Sequence, residues 1–242
     1  MKLNVLASGS RANCYIIEND SEALIIECGV SFNKVKEAMN FNISKIIGCL
    51  VSHEHKDHSG YVNDFLKANI PVYMSEGTKK QLNLNIETTC NTDVFNIGTF
   101  KIKPLHVKHD ALEPLGFLIN HKETGTILFA TDCSSIPYRF TGLNNIMIEC
   151  NHSVKIVEEK LHKGLINEAQ SIRILRSHIS LETCLYFLSE TDLSKVNNIV
   201  LLHLSDNNSD AEHFKKVIEN KTHKNVYIAE KGLIIDFNKI PF

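Results

Sequence analysis

The chain has 242 residues, with 26 basic and 28 acidic side chains, a formal net charge of −2, and 43% apolar residues. That balance describes a folded globular protein and excludes disordered, collagenous and coiled-coil chains. The lack of a basic excess also excludes a protein that coats long nucleic acid, so any nucleic acid is met locally.

Taken in chain order, apolar runs rich in Val, Ile and Leu predict strands at 3–7, 15–18, 23–27 and 46–52. Ser31 is an expected N-cap for a short helix carrying Val35, Ala38 and Met39, and Tyr61, Val62, Phe65 and Leu66 make a helical stripe. Strand patterns return at 100–107, 115–120, 126–130 and 145–149, punctuated by Gly98, Gly116 and Gly125. Helical patterns at 154–162, 168–175 and 181–188 precede a strand at 198–204, a helix at 211–220, and closing strands at 226–229 and 233–237. Both halves thus mix strands and helices without a fixed-period repeat. The expected class is α/β, with two sheets packed face to face and helices outside, a four-layer αββα sandwich.

No Pro/Gly/Ser-rich linker interrupts the chain, so residues 1–242 are expected to form one domain. The longest apolar run, Ile46 to Val51, is far short of the roughly 20 residues a membrane span needs. The residues after Lys2 lack the apolar core of a secretion signal, and the cytoplasm is the expected compartment. Seven scattered cysteines without a Cys-x-x-Cys pair argue against a disulfide framework or zinc ribbon and for reduced core residues.

The decisive segment is Ser52-His53-Glu54-His55-Lys56-Asp57-His58-Ser59-Gly60, directly after a predicted strand. In extended backbone His53 and His55 point the same way and can share one ion. Asp57 and His58, where the chain turns into a helix, can face a second. Imidazole nitrogen and carboxylate oxygen suit zinc and admit manganese or iron. Two adjacent ions need further ligands, including an anion able to bridge them. Candidates stand at strand ends: His109 closing the strand that starts at Phe100, Asp132 after the 126–130 run, and His203 within the segment 201–205.

These residues, in this order and at these gaps, resemble the metallo-β-lactamase superfamily over nearly the whole chain. The likeness narrows to the YycJ/WalJ-type branch, near ribonuclease Z and small phosphodiesterases. It is carried further by Ala7-Ser8-Gly9-Ser10 with Asn13, His109-Asp110-Ala111 before Glu113-Pro114, and Thr131-Asp132. Glu149 with Asn151-His152, His178-Ile179-Ser180, and His203-Leu204-Ser205 with Asn207 complete it. The resemblance implies a cofactor of two divalent metal ions. His53, His55 and His109 would hold one, Asp57, His58 and His203 the other, with Asp132 bridging. Asp57 and His178 are the implied catalytic residues. His178 would protonate the leaving group, for which a free imidazole pKa of about 6.5 is suited; its alternative is a helix cap ahead of Leu181.

Substrate contacts are sought at Ser10, Asn13, His152, Arg173 and Arg176. Arg173 and Arg176, three apart on a helical pattern, share one face and would hold a phosphate. The stretch from Ser8 to Asn13 offers backbone N–H groups to a phosphate or is simply a hairpin turn. By strand alternation His106 is expected to be packed with Phe100 and Ile102, while His121, His162, His213 and His223 are read as surface residues. Two positions depart from the family pattern: Glu27 where relatives carry Asp, and Cys133 where threonine is usual, read as packing.

The expected activity is that of a phosphodiesterase or nuclease, exonuclease-like, on DNA or RNA. Alternatives are hydrolysis of a small phosphodiester, hydrolysis of a carboxylic or thiol ester or lactone, and a non-catalytic metal-stabilised scaffold or redox module. The expected partner is nucleic acid or a small phosphodiester, with no membrane and no protein partner read from the sequence.

Overall fold

A computed structural model describes residues 1–91 and 93–240. The strands form a six-stranded and a seven-stranded sheet. In the first, β1 (Lys2–Ala7), β2 (Cys14–Glu18) and β3 (Ala23–Ile26) are antiparallel, and β4 (Ile46–Leu50) and β5 (Val72–Tyr73) extend it parallel to β3. The other edge is closed by β13 (Ile234–Asp236) beside β1. The second sheet opens with the antiparallel strands β6 (Phe95–Ile97), β7 (Phe100–His106), β8 (Leu115–His121) and β9 (Gly125–Ala130). It continues in parallel through β10 (Leu143–Glu149), β11 (Asn198–Leu202) and β12 (Asn225–Ile228).

The inner strands β2, β3, β4, β9, β10 and β11 are buried on both faces, which is why they read as nearly continuous apolar runs. Leu3, Val5, Tyr15, Ile17, Leu24 and Ile26 meet Phe117, Ile119, Ile127, Phe129, Met147 and Val200 in the core between the sheets. The alternate residues Ile16, Ile25 and Cys49 pack under α1 (Phe32–Ala38) and α3 (Val62–Lys67) through Phe32, Val35, Val62 and Phe65. On the far side Leu128, Ile146, Ile148, Ile199 and Leu201 are covered by α7 (Leu181–Ser189) and α8 (Ala211–Thr222). The predicted four-layer order is the observed one. The remaining helices are α2 (Lys56–Ser59), α4 (Glu76–Gln81), α5 (Val154–His162) and α6 (Glu168–Ser177). Among the described residues, no helix is long and apolar enough to cross a membrane.

Capping follows local chemistry. Asn167 and Gln170 form a reciprocal capping box on α6, and Ser180 and Asp210 accept backbone N–H bonds at the starts of α7 and α8. Ser31 occupies the N-cap of α1, without a side-chain bond.

Several expectations are corrected. Patterning gave no element over 68–92, yet β5 and α4 lie there, both too short to display a period. His106 is exposed: the pairing of β7 with β8 is regular and it shares the face of Phe100 and Ile102, but at the strand's end that face is uncovered, while Leu105 and Val107 on the other face are buried. His121 is buried, not superficial: its Nε2 lies 3.1 Å from Glu22 Oε1 and its ring against Phe100, joining the β2–β3 turn to the second sheet. The seven cysteines are free and buried.

Candidate functional site

The parallel strands β3, β4, β9, β10 and β11 end at one edge of the sandwich, where the chain must turn and backbone groups are free to be used. Three of those ends carry non-glycine residues with left-handed backbone: Glu27 (φ +66°), Asp132 (φ +42°) and His203 (φ +51°). Such conformations are costly for residues with a Cβ, and here they fold buried polar side chains back into the site. His203 therefore stands just past β11 and not within it, and His109 lies in a bend three residues beyond the end of β7.

Seven predicted residues converge. His53, His55 and His109 bring ring nitrogens within 4.8 Å of one another, and Asp57, His58, Asp132 and His203 form a second such set. His109 Nε2 lies 3.2 Å from His55 Nδ1. The Asp132 carboxylate divides between the sets. Its Oδ2 is 3.7 Å from His109 Nε2 and 4.0 Å from His53 Nε2, while Oδ1 is 3.4 Å from His58 Nε2 and 3.5 Å from His203 Nδ1. Asp57 Oδ2 closes the second set at 3.2 Å from His58 Nε2 and 3.3 Å from His203 Nε2.

Outer contacts fix these side chains. His109 Nδ1 is 3.0 Å from the Ser177 carbonyl, which can only accept, so Nδ1 carries the proton and Nε2 presents a lone pair to the centre. Asn13 is fully buried; its Nδ2 donates to the Gly9 carbonyl (3.1 Å) and Asp57 Oδ2 (3.2 Å) and lies 3.1 Å from His58 Nε2. It braces the histidine loop and does not face substrate, a correction to its expected role. Glu27 accepts from Ser52 N–H at 3.3 Å and lies 3.5 Å from His58 Nδ1, so the longer carboxylate still supports the loop. Glu54, which patterning singled out only as a spacer, accepts from Leu112 N–H at 2.7 Å and ties the loop to the segment after His109.

Electrostatics separate the sets. Burial, then His58, pushes His53 below its ordinary range, and burial lowers His109, so both are neutral donors. Burial also resists charge on Asp57 and Asp132. The hydrogen bonds of Asp57 with His203 and His58, and the charges of His58 and His203 beside Asp132, outweigh it and hold both carboxyls well below the usual range. His203 is opposed by burial yet raised to about 10, chiefly by Asp132. The first set therefore holds neutral imidazoles at His53 and His109, while the second pairs His58 and His203, both raised, with the ionised carboxylates of Asp57 and Asp132. His53 Nε2 and His58 Nδ1 are buried without a hydrogen-bond partner. A borderline N/O donor set containing an orphaned ring nitrogen suits divalent cations.

Beside the second set, Glu149 is buried and fully used. Oε2 accepts from Cys133 N–H (3.1 Å) and Ile179 N–H (3.0 Å), and Oε1 is 2.6 Å from His178 Nδ1. Burial disfavours a charged His178, but Glu149 prevails and raises its pKa. His178 terminates α6, whereas Ser180 caps α7, so the capping alternative for His178 does not hold. Glu149 had no periodic or spacing signal of its own, since its partners come from distant elements. Asp132, Glu149, His178 and His203 form a third group of converging donors, and Cys133, buried with its thiol pushed up by burial, belongs to none of the three among the described residues.

A cavity of about 530 Å³ adjoins His178, lined by Ser10, Lys160, Arg173 and residues of α6 and the β11–α8 connection. Ser10 and Arg173 thus lie where a substrate could touch them. Arg176, in the last turn of α6, is exposed and off the cavity wall. His152 is 1% exposed with both ring nitrogens unpartnered, and it is likewise off the wall, behind Glu149 and His178.

Residues 8–129 match the model of the metallo-beta-lactamase superfamily. The exodeoxyribonuclease YycJ of Bacillus anthracis is 31% identical over 86% of this chain and 84% of its own length. The exodeoxyribonuclease WalJ of Streptococcus pneumoniae is 25% identical over 98% and 92%. Among solved structures, the metallo-beta-lactamase fold protein YhfI from Bacillus subtilis superposes with a TM-score of 0.71 at 16% identity, covering 97% of this chain and 99% of that one.

Proposed function

The chain belongs to the metallo-beta-lactamase superfamily and is a hydrolase, and from that premise we propose that it is an exonuclease-like phosphodiesterase acting on DNA or RNA ends. The observation that carries the reading is the division of Asp132 between two donor sets beside the His178–Glu149 pair. The exodeoxyribonuclease names of the bacterial relatives favour DNA.

In this reading His53, His55 and His109 would hold one cation and Asp57, His58 and His203 the other, with Asp132 placed to serve both. Zinc suits the donors best, with manganese or iron as substitutes. When bound, the cations lend acidity to water and positive charge to the phosphoryl oxygens. The chain supplies the rest. Glu149 accepts the His178 Nδ1 proton, which leaves Nε2 as the ring atom that hands a proton to the departing alkoxide. The raised pKa of His178, caused by Glu149, favours its protonated form. Asp57 stays ionised and orients His58 and His203. The core shared by the two sheets supports reading residues 1–242 as one domain.

The test is metal analysis of the purified protein followed by incubation with end-labelled DNA, RNA and an aryl phosphodiester. Hydrolysis of nucleic acid is the expected result. Turnover restricted to carboxylic or thiol esters would overturn the reading in favour of ester hydrolysis.

A further inference from the structure

The cavity beside His178 adjoins the metal-type donors, with His203 at the start of one of its walls, but extends away from them. Its walls are the α5–α6 hairpin and the β11–α8 connection, with Ser10 at its lip. The two walls are tied together: Lys160 on α5 donates to the Asn207 carbonyl and, at 3.2 Å, to Asn208 Oδ1. Its lining contains two cationic side chains, Lys160 and Arg173, and no carboxylate. In a chain of net charge −2 that is a local reversal of sign, placed next to the proton donor. Lys160 has no carboxylate partner among the described residues, and Arg173 has only a long contact, 3.8 Å to Asp110, with its side chain 76% exposed. Both cations remain available to an incoming anion.

The rest of the lining is of a different kind. Leu165, Ile166 and Ile174 make an aliphatic wall, and Leu165 is 67% exposed. An aliphatic surface of this kind is left open at a loss unless something apolar lies against it. Gln170 and Asn207 add groups that both donate and accept. Cations, a flat apolar wall and amide edges correspond to the parts of a nucleotide: phosphate, base face and base edge. A volume of about 530 Å³ lies within the range of sites that enclose one drug-sized molecule, and a nucleotide unit is of that size.

We propose that this cavity is a subsite for a single unpaired nucleotide on the leaving-group side of the scissile bond, with Lys160 and Arg173 binding its phosphate and Leu165, Ile166 and Ile174 covering its base. The assignment rests on the phosphodiesterase reading and adds to it a substrate whose end is separated from its complement. A base still paired to another strand cannot lie flat against the aliphatic wall. The lining has no Phe, Tyr or Trp, so the base is held mainly by aliphatic contact.

The experiment measures binding of a fluorescein-labelled, hydrolysis-resistant phosphorothioate oligodeoxynucleotide to the zinc-loaded full chain. Arg173→Glu, on an exposed position that does not bear on folding, should weaken binding about tenfold or more. Arg173→Ala should reduce the salt dependence of log K by about 0.7 for the one phosphate lost. Gln170→Trp, which fills the cavity and gives up the Gln170 half of the α6 capping box, should also weaken binding. Melting curves check that each variant is folded. A blunt duplex should compete less well than the single strand. Unchanged affinity in both Arg173→Glu and Gln170→Trp, or equal competition by the blunt duplex, overturns the subsite. Binding that follows these expectations without any phosphodiester hydrolysis by the wild-type chain would instead overturn the proposed function.

Discussion

Glu149 and His178 show how single side chains set the chemistry. His178→Ala is expected to retain metal, measured by atomic absorption, and to lose most of its turnover, by about 10²-fold or more. Glu149→Gln removes the charge that raises the His178 pKa. The acid form is present below that pKa and lost above it, so the alkaline limb of the rate profile should move to lower pH in the variant. Asp132→Ala should cut bound metal at both positions, because each carboxylate oxygen faces a different donor set. At this scale the sequence was informative where donors cluster locally, as from His53 to His58. It was silent where a partner arrives from a remote element. Ser177, whose carbonyl fixes the His109 tautomer, carries no pattern that marks it. Asn13 and His152 were noticed as polar residues near motifs, but only burial distinguishes a brace from a substrate contact.

Elements matter through how closely they approach. The turn after β3 passes so near the histidine loop that a Cβ on Gly29 would stand 1.8 Å from the Asp57 carbonyl oxygen and 2.6 Å from Asn13 N. Both are backbone atoms, so the loop itself must move. Gly29→Ala should therefore destabilise the fold by about 1–3 kcal/mol, the usual range for overpacking, and weaken metal binding as well. Denaturant titration and metal competition would show the two losses together; intact metal affinity would place the displacement elsewhere. Elements with several turns or residues of regular pattern, such as α5, α8 and β10, were legible within a residue or two at most ends. β5 and α4 were not, since two and six residues give periodicity too little length. His106 and His121 were misplaced because tertiary cover, not alternation, decides burial: the core face of β7 is uncovered at His106, and His121 meets Glu22 from another strand pair.

For the molecule as a whole, the four layers were legible because strands buried on both faces and helices in both halves leave few other ways to hide apolar surface. How the strand ends meet was not legible from patterning, because it depends on the pairing of the two sheets. That pairing has a thermodynamic consequence. His53, His55, Asp57 and His58 follow β4 in one sheet, while Asp132 and His203 follow β9 and β11 in the other. An ion gripped by both would act as a rivet across the sandwich, present only when the layers are docked. The melting temperature should then climb with free zinc, by an amount matching about 2.7 kcal/mol at a hundredfold excess over the dissociation constant. A chelator should bring it down again. Calorimetry would in that way read the occupancy of the centre without any substrate in the cell.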